Sequence, residues 1–406
     1  MRRSIAPKRE AAIAWPMTAV VSPRPPVQTH TRMHKHFGGK VANIVVGVVL
    51  LLIEIFLFQH VRQQGQHDFM PFYLGGKLAA SGQIAHIYDK PAYQPLIAQL
   101  RNEGERMSRA DAHYFIRPAF EAFFYIPFTW FSYRRAATLA LIGNLGLLGA
   151  LVWKLPLWLA APAALRPALR LALAVFYPFL WSIVLGQDTL LLTLLVGYAL
   201  SRDVVGGEAG AGVTIGLCAW KPNLTGLLPF GLLAARRWRM AIYSLATSSV
   251  LLILSFGLVG VQGFRQWVQL VQAPSSDITP SLMGNIRALN IHFGPVFASI
   301  ALALTIVCFY MALRHGSFSD KISASLLAAL LISPHTYWQD YSLTAVIAML
   351  EISPAARVVL LLPWPYLYNR KDELPMIFIA LSYLIALGAK QAFRPLPDLR
   401  VSKQCR

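Results

Sequence analysis

The chain has 406 residues, 56% of them hydrophobic and only 14% charged, with a mean hydropathy of +0.51. That balance excludes a string of ordinary soluble domains and indicates a polytopic membrane protein. The net charge of +19 would suit nucleic acid if it lined one face. Instead the Lys and Arg fall in short clusters between apolar spans, as membrane topology requires.

In chain order, residues 1–40 are basic and Pro-bearing, with Glu10 as the single acid, and read as a disordered cytoplasmic tail. The apolar run Val41 to Val61 has about the 20 residues that a bilayer-crossing helix needs. No small-residue cleavage site follows it, so it reads as a retained anchor and not as a secretion signal. Glu54 lies inside this span. A carboxyl at that depth is either a functional group or one hydrogen-bonded to a neighbouring helix. Directly after the span comes His67-Asp68-Phe69-Met70-Pro71-Phe72-Tyr73, which puts the Asp68 carboxylate at a membrane exit.

Residues 62–118 form one long polar region, expected to be an outer loop. Tyr93, Leu96, Ile97 and Leu100 recur at i, i+3, i+4 and i+7, with Gln94, Gln99 and Arg101 on the other side, so the spacing predicts an amphipathic helix on the membrane surface. Phe72 to Ala80 reads as a second such helix, ended by Ser81-Gly82.

Apolar spans then follow closely from Ala119–Tyr133 through Pro375–Ala389. Several are shorter than a full crossing and read as half-helices or broken pieces, for a total of about 10 to 14 transmembrane helices. The expectation is an all-α polytopic membrane protein whose single domain runs over residues 41–393, with a cytoplasmic tail at 394–406. With a cytoplasmic N-terminus and every span crossing, Arg134-Arg135 and the Arg236 to Arg239 cluster fall inside. Arg370 and Lys371 fall outside and weaken the last two crossings.

The same alternation gathers the polar motifs on the outer face: Asp68, Gly186-Gln187-Asp188, Lys221-Pro222-Asn223, the loop carrying Asp277 and Arg287, and Ser333 to Asp340. Acids and hydrogen-bonding groups converging on one face suit an active site at a membrane surface better than a transport site, which lies near the midplane. Each motif also has a bland reading. Gly186-Gln187-Asp188 serves equally as a helix cap, Lys221 as a snorkelling lysine and His335 as a loop histidine. Gly212 and Gly216 read as a helix-packing pair, not a phosphate loop. Cys218, Cys308 and Cys405 are too scattered for a metal site or a disulfide framework.

Read together, Asp68, the run Phe72 to Leu78, Gly82, Ile87-Tyr88-Asp89, Tyr125-Ile126-Pro127-Phe128, Gly186-Gln187, Lys221-Pro222 and Ser333-Pro334-His335 resemble the family 87 glycosyltransferases over about residues 60 to 355. The resemblance implies a GT-C fold and a polyprenyl-phosphate-sugar donor, as in the mannosyltransferases of that family. It further implies inverting transfer of a mannose-like hexose to a lipid or glycan acceptor on the outer face of the cell membrane. Asp68 is then the catalytic base, and Lys221, Arg287 and His335 hold the donor phosphate. Asp89, Gln187, Asp188 and Asp340 are further site groups. No cofactor, divalent metal or nucleic acid is expected; the partners are donor, acceptor and membrane lipids. Asp188 departs from the Asn expected in the Gly-Gln motif. The stretch before Met33 has no counterpart in the family, which makes Met33 a candidate start. The competing class is a secondary transporter or lipid flippase, against which stand the missing internal repeat and the long first loop.

Overall fold

The structure is a computed structural model that describes residues 30–64, 66, 68–103, 114–203, 207–272, 285–351, 353–362 and 374–392. His67, Asp277, the Arg370-Lys371 pair, Cys405 and both tails, as far as residue 29 and from residue 393, lie outside the described residues. The chain divides into Met1–Val41 and Ala42–Arg406, and the second unit holds both hydrophobic cores.

All regular structure among the described residues is helical, as expected. Six helices there are long and apolar enough to cross a membrane: Val41–Arg62, Tyr133–Trp158, Arg166–Leu185, Trp238–Val271, Asn285–His315 and Leu374–Ala392. The first lies in α1 (His30–Gln64), the second is α5 (Tyr133–Trp158), and the third joins α6 (Arg166–Ala174) to α7 (Tyr177–Leu185). The fourth and fifth belong to α12 (Trp238–Gln272) and α13 (Asn285–His315), broken at Gly260 and Gly294, and the sixth to α17 (Leu374–Ala392).

The other expected spans fall on helices too short to count among these six, several of which the sequence already suggests are half-helices or broken pieces. Examples are α8 (Thr189–Asp203), α9 (Glu208–Leu217), α10 (Pro222–Thr225), α11 (Leu228–Ala234), α14 (Phe318–Ile332), α15 (Thr344–Leu350) and α16 (Pro354–Leu361). Hydropathy registers burial in protein and burial in lipid alike. The Gly212 and Gly216 pair does pack helices: a Cβ on either would collide with α12, at Met240 and Tyr243 or at Ser244 and Thr247.

The polar region after α1 folds as expected. Here α2 (Phe69–Ala80) and α3 (Lys90–Asn102) form, and α3 buries Tyr93, Ile97 and Leu100 while exposing Gln94, Gln99 and Arg101. With residues from Phe115 to Ala136 they make a second, aromatic core, separate from the main bundle core. Phe72 stacks on Tyr125 with centroids 4.9 Å apart and planes 9° from parallel. Such pairs add about 0.5–1.5 kcal/mol each beyond area burial.

One expected crossing is corrected. Ala119–Tyr133 is a chain of single turns, with 3-10 segments Ala119–Glu121 and Ile126–Trp130 around α4 (Ala122–Tyr125). Pro127, with no N–H to donate, sits in the second of these and breaks any continuous helix. As a result α5 begins beside Asp68, where the Tyr133 hydroxyl donates to the Gln66 carbonyl (3.0 Å) and that of Tyr73 to the Phe131 carbonyl (2.9 Å). Arg134 and Arg135 therefore lie at the Asp68 end of the bundle, not opposite it as the alternation implied.

Candidate functional site

Two chain breaks meet where the aromatic core joins the main bundle. After α1, the Gln66 amide donates to the Ile183 carbonyl (3.0 Å) and the Asp68 N–H to that of Leu185 (3.0 Å), which stitches the segment to the end of α7. Gly186 ends α7 with φ +79°, left-handed backbone that suits glycine. A Cβ there would also stand 2.9 Å from the Cβ atoms of both Gln66 and Phe69. This tight turn aims Gln187 and Asp188 at the first break.

Gln187 is buried and bridges the site. Its Nε2 donates to Asp68 Oδ2 (2.8 Å), and its Oε1 accepts from Arg117 Nη2 (3.1 Å). Asp188 Oδ1 lies 3.6 Å from both Arg117 Nη2 and Lys221 Nζ. Lys221, where α9 gives way through the turn Cys218–Trp220 to α10, is 2% exposed and also donates to Asp340 Oδ1 and Thr189 Oγ1, both at 2.8 Å. Asp340 Oδ2 in turn accepts the Tyr337 N–H (3.0 Å). Arg117 is set by its backbone, whose carbonyl accepts the Tyr88 hydroxyl (2.7 Å), and its guanidinium lies 5.8 Å from the Phe72 ring centre.

The fourth carboxyl is Glu121, 1% exposed, with neither oxygen in a well-formed hydrogen bond. Burial drives its pKa well above the ordinary 4.5, and neighbouring Asp188 pushes the same way. Glu121 therefore sits as a neutral acid. Burial also opposes ionisation of Asp188, but Arg117, Lys221 and the Glu121 hydroxyl outweigh it and hold Asp188 below the usual carboxylate range. Two nearby carboxyls with opposite shifts divide the labour: one keeps its proton and the other its charge.

Of the expected site residues, Asp68, Gln187, Asp188, Lys221 and Asp340 thus come together. Lys221 is already matched by Asp340 and Asp188, so its charge is engaged within the protein. Arg287 and His335 meet elsewhere, along a cleft of about 800 Å³ between the start of α13 and Ser333-Pro334-His335, with Ile286, Pro295, Ala298, Leu302 and Ile332 as its apolar wall. His335 Nε2 is 2.9 Å from the Val271 carbonyl, and its own carbonyl accepts from Asn223 Nδ2 (3.0 Å), two residues beyond Lys221. Asp89 stays apart: it precedes α3 without a side-chain cap hydrogen bond, its Oδ2 3.8 Å from His86 Nδ1. Glu54 is half-buried on α1 and faces α5 at Gly149.

Sequence reading passed over Arg117 and Glu121. Their signal is a charged pair four residues apart at the mouth of an apolar run, and an acid inside an expected span is notable for the same reason as Glu54.

The family model for glycosyltransferase family 87 matches residues 115–363. That stretch takes in Arg117, Glu121, Gln187, Asp188, Lys221, Arg287, His335 and Asp340, while Asp68 precedes it. No curated protein and no solved structure matches the chain. With more than half its length matched and its polar cluster inside the match, the chain belongs to glycosyltransferase family 87.

Proposed function

We propose that this membrane glycosyltransferase moves a mannose-like hexose from a polyprenyl-phosphate sugar to a hydroxyl of a lipid or glycan acceptor. Asp68 takes the acceptor proton as that oxygen attacks the anomeric carbon. The new C–O bond forms as the bond to the phosphate oxygen breaks, the phosphate leaves with the electron pair, and the carbon inverts. The observation that carries this reading is the Asp68–Gln187–Arg117 chain, which holds one carboxylate oriented at the site by an amide that is itself held by a cation.

The cleft supports the donor class. Arg287, exposed on the first turn of α13, supplies positive charge and donors for a phosphate, with the His335 ring beside it in the same cleft, while the apolar wall suits the first isoprene units. The Arg236, Arg237 and Arg239 cluster precedes and opens α12, whose far part reaches the site region where Ser255 Oγ accepts the Phe120 N–H (3.4 Å). Basic residues at the end opposite Asp68 favour an outward-facing site by the positive-inside rule; Arg134 and Arg135 weigh the other way. The test offers purified enzyme a radiolabelled nucleotide hexose and, separately, the matching polyprenyl-phosphate hexose, with no membranes able to interconvert them. Transfer from the lipid-linked sugar is expected; transfer from the nucleotide sugar alone refutes the reading.

A further inference from the structure

At the other end of α1 lies a charge that the glycosyl-transfer site does not use. Arg170 on α6 is only 8% exposed, yet among the described residues no carboxylate comes within ion-pair distance of it. Its Nη1 donates to Asn43 Oδ1 on α1 (2.6 Å), and its guanidinium lies 4.5 Å from the ring centre of Trp153 on α5. Its Nε is buried without a partner. Elsewhere Arg117 faces Asp188 and Lys221 faces Asp340, while Arg357, also buried and without a carboxylate partner among the described residues, donates its Nε to the Glu351 carbonyl (2.7 Å). At Arg170 three helices instead supply an amide to orient the guanidinium and an indole to cover its face, and they leave its charge uncompensated. Arg166, one turn earlier, adds a second guanidinium, itself positioned by donation from its Nε to the Ala161 carbonyl (2.9 Å).

Depth identifies the ligand. From Asn43 to the end of α1 at Gln64 is about 30 Å at 1.5 Å per residue, close to the hydrocarbon thickness of a bilayer. With the Asp68 end at one interface, Arg170 sits at the other, at headgroup level, where tryptophan also concentrates. A guanidinium donates short, charge-assisted hydrogen bonds to phosphate oxygens. We infer that the Asn43–Trp153–Arg170 corner binds the phosphodiester headgroup of an anionic membrane lipid, with Arg170 Nη2 and Asn43 Nδ2 as the donors left over from the protein's own bonds.

The test reconstitutes the full chain in nanodiscs of phosphatidylcholine, with or without phosphatidylglycerol, and reads bound lipid by native mass spectrometry and the melting temperature. Wild type should retain phosphatidylglycerol in preference and melt higher in its presence. Arg170→Gln should lose about tenfold in that preference, the size of one charge-assisted hydrogen bond. Arg170→Lys, which keeps the charge but not the planar group held by Asn43 and Trp153, should recover only part. Three results overturn the proposal: no preference in wild type, an unchanged preference in Arg170→Gln, or equal stabilisation of detergent-solubilised protein by inorganic phosphate, which would make the ligand a free anion. If Arg170→Gln does not fold, Asn43→Ala takes its place, and an unchanged preference in it likewise overturns the proposal.

Discussion

Glu121→Gln separates a neutral acid from a charged one. Glutamine copies the shape and neutrality of a protonated glutamate and offers an N–H toward Asp188, so the cluster should keep its charge balance of Arg117 and Lys221 against Asp188 and Asp340. Turnover near neutral pH should stay within about threefold of wild type, less than 1 kcal/mol of barrier. Glu121→Ala leaves a cavity beside Asp188 where the buried side chain stood, so activity should fall by about tenfold or more. The pH profile is the sharper assay. The folded pKa of Glu121 is raised, so its contribution to stability is fully present below 4.5, its ordinary value, and is lost as pH rises through the folded value. Wild type should therefore lose activity and thermal stability on the alkaline side, where a second anion beside Asp188 competes for Arg117, and Glu121→Gln should lack that limb. A hundredfold loss at neutral pH in folded Glu121→Gln, or an unchanged alkaline limb, would refute the neutral-acid assignment.

The same geometry sets the outcome of other substitutions. Asp68→Asn should abolish turnover while donor binding, read by titration with the polyprenyl-phosphate sugar, stays near wild type. Gln187→Leu removes both the donor to Asp68 and the acceptor for Arg117, and should cost about a hundredfold in kcat with a smaller change in KM. Gly186→Ala should lower kcat at least about tenfold and reduce the melting temperature, since left-handed backbone alone costs a residue with a Cβ about 1–2 kcal/mol and the new atom meets Gln66 and Phe69. For sidedness, cysteines at Gln83 and Gly210, both exposed, should label from outside and inside respectively with an impermeant thiol reagent on intact cells.

Apolar patterning was enough to read the all-α membrane class and the inward face of α3, because both depend on local periodicity. It also marked runs that protein covers on all sides, as in α14, where every residue from Ile322 to Leu331 is buried. Alternation of loops put Asp68, Asp188, Lys221 and Asp340 on one face, and the structure brings these four together, while Arg287 and His335, put on the same face, line a separate cleft. It failed at Arg134 and Arg135, where one false crossing reversed the side. Arg117 and Glu121 went unread because their partners are 70 and 67 residues away along the chain, and local spacing carries no trace of such pairings.

The short helices also explain why the polar cluster tolerates its depth. Each helix end leaves carbonyls and N–H groups without helical partners, and inside a membrane protein these must be satisfied from within. Here the Leu185 carbonyl takes the Asp68 N–H, that of Ile183 the Gln66 amide, that of Cys218 the Lys221 N–H, and that of Leu330 both Asn285 Nδ2 and the Thr336 hydroxyl. Every one of these bonds anchors a residue at the cluster or beside the Arg287 cleft. A full-length crossing helix would satisfy its own backbone and carry residues such as Asp188 past one another at fixed turns. Helix ends instead need partners, and meeting that need ties the segment bearing Asp68 to the end of α7, beside Gln187 and Asp188.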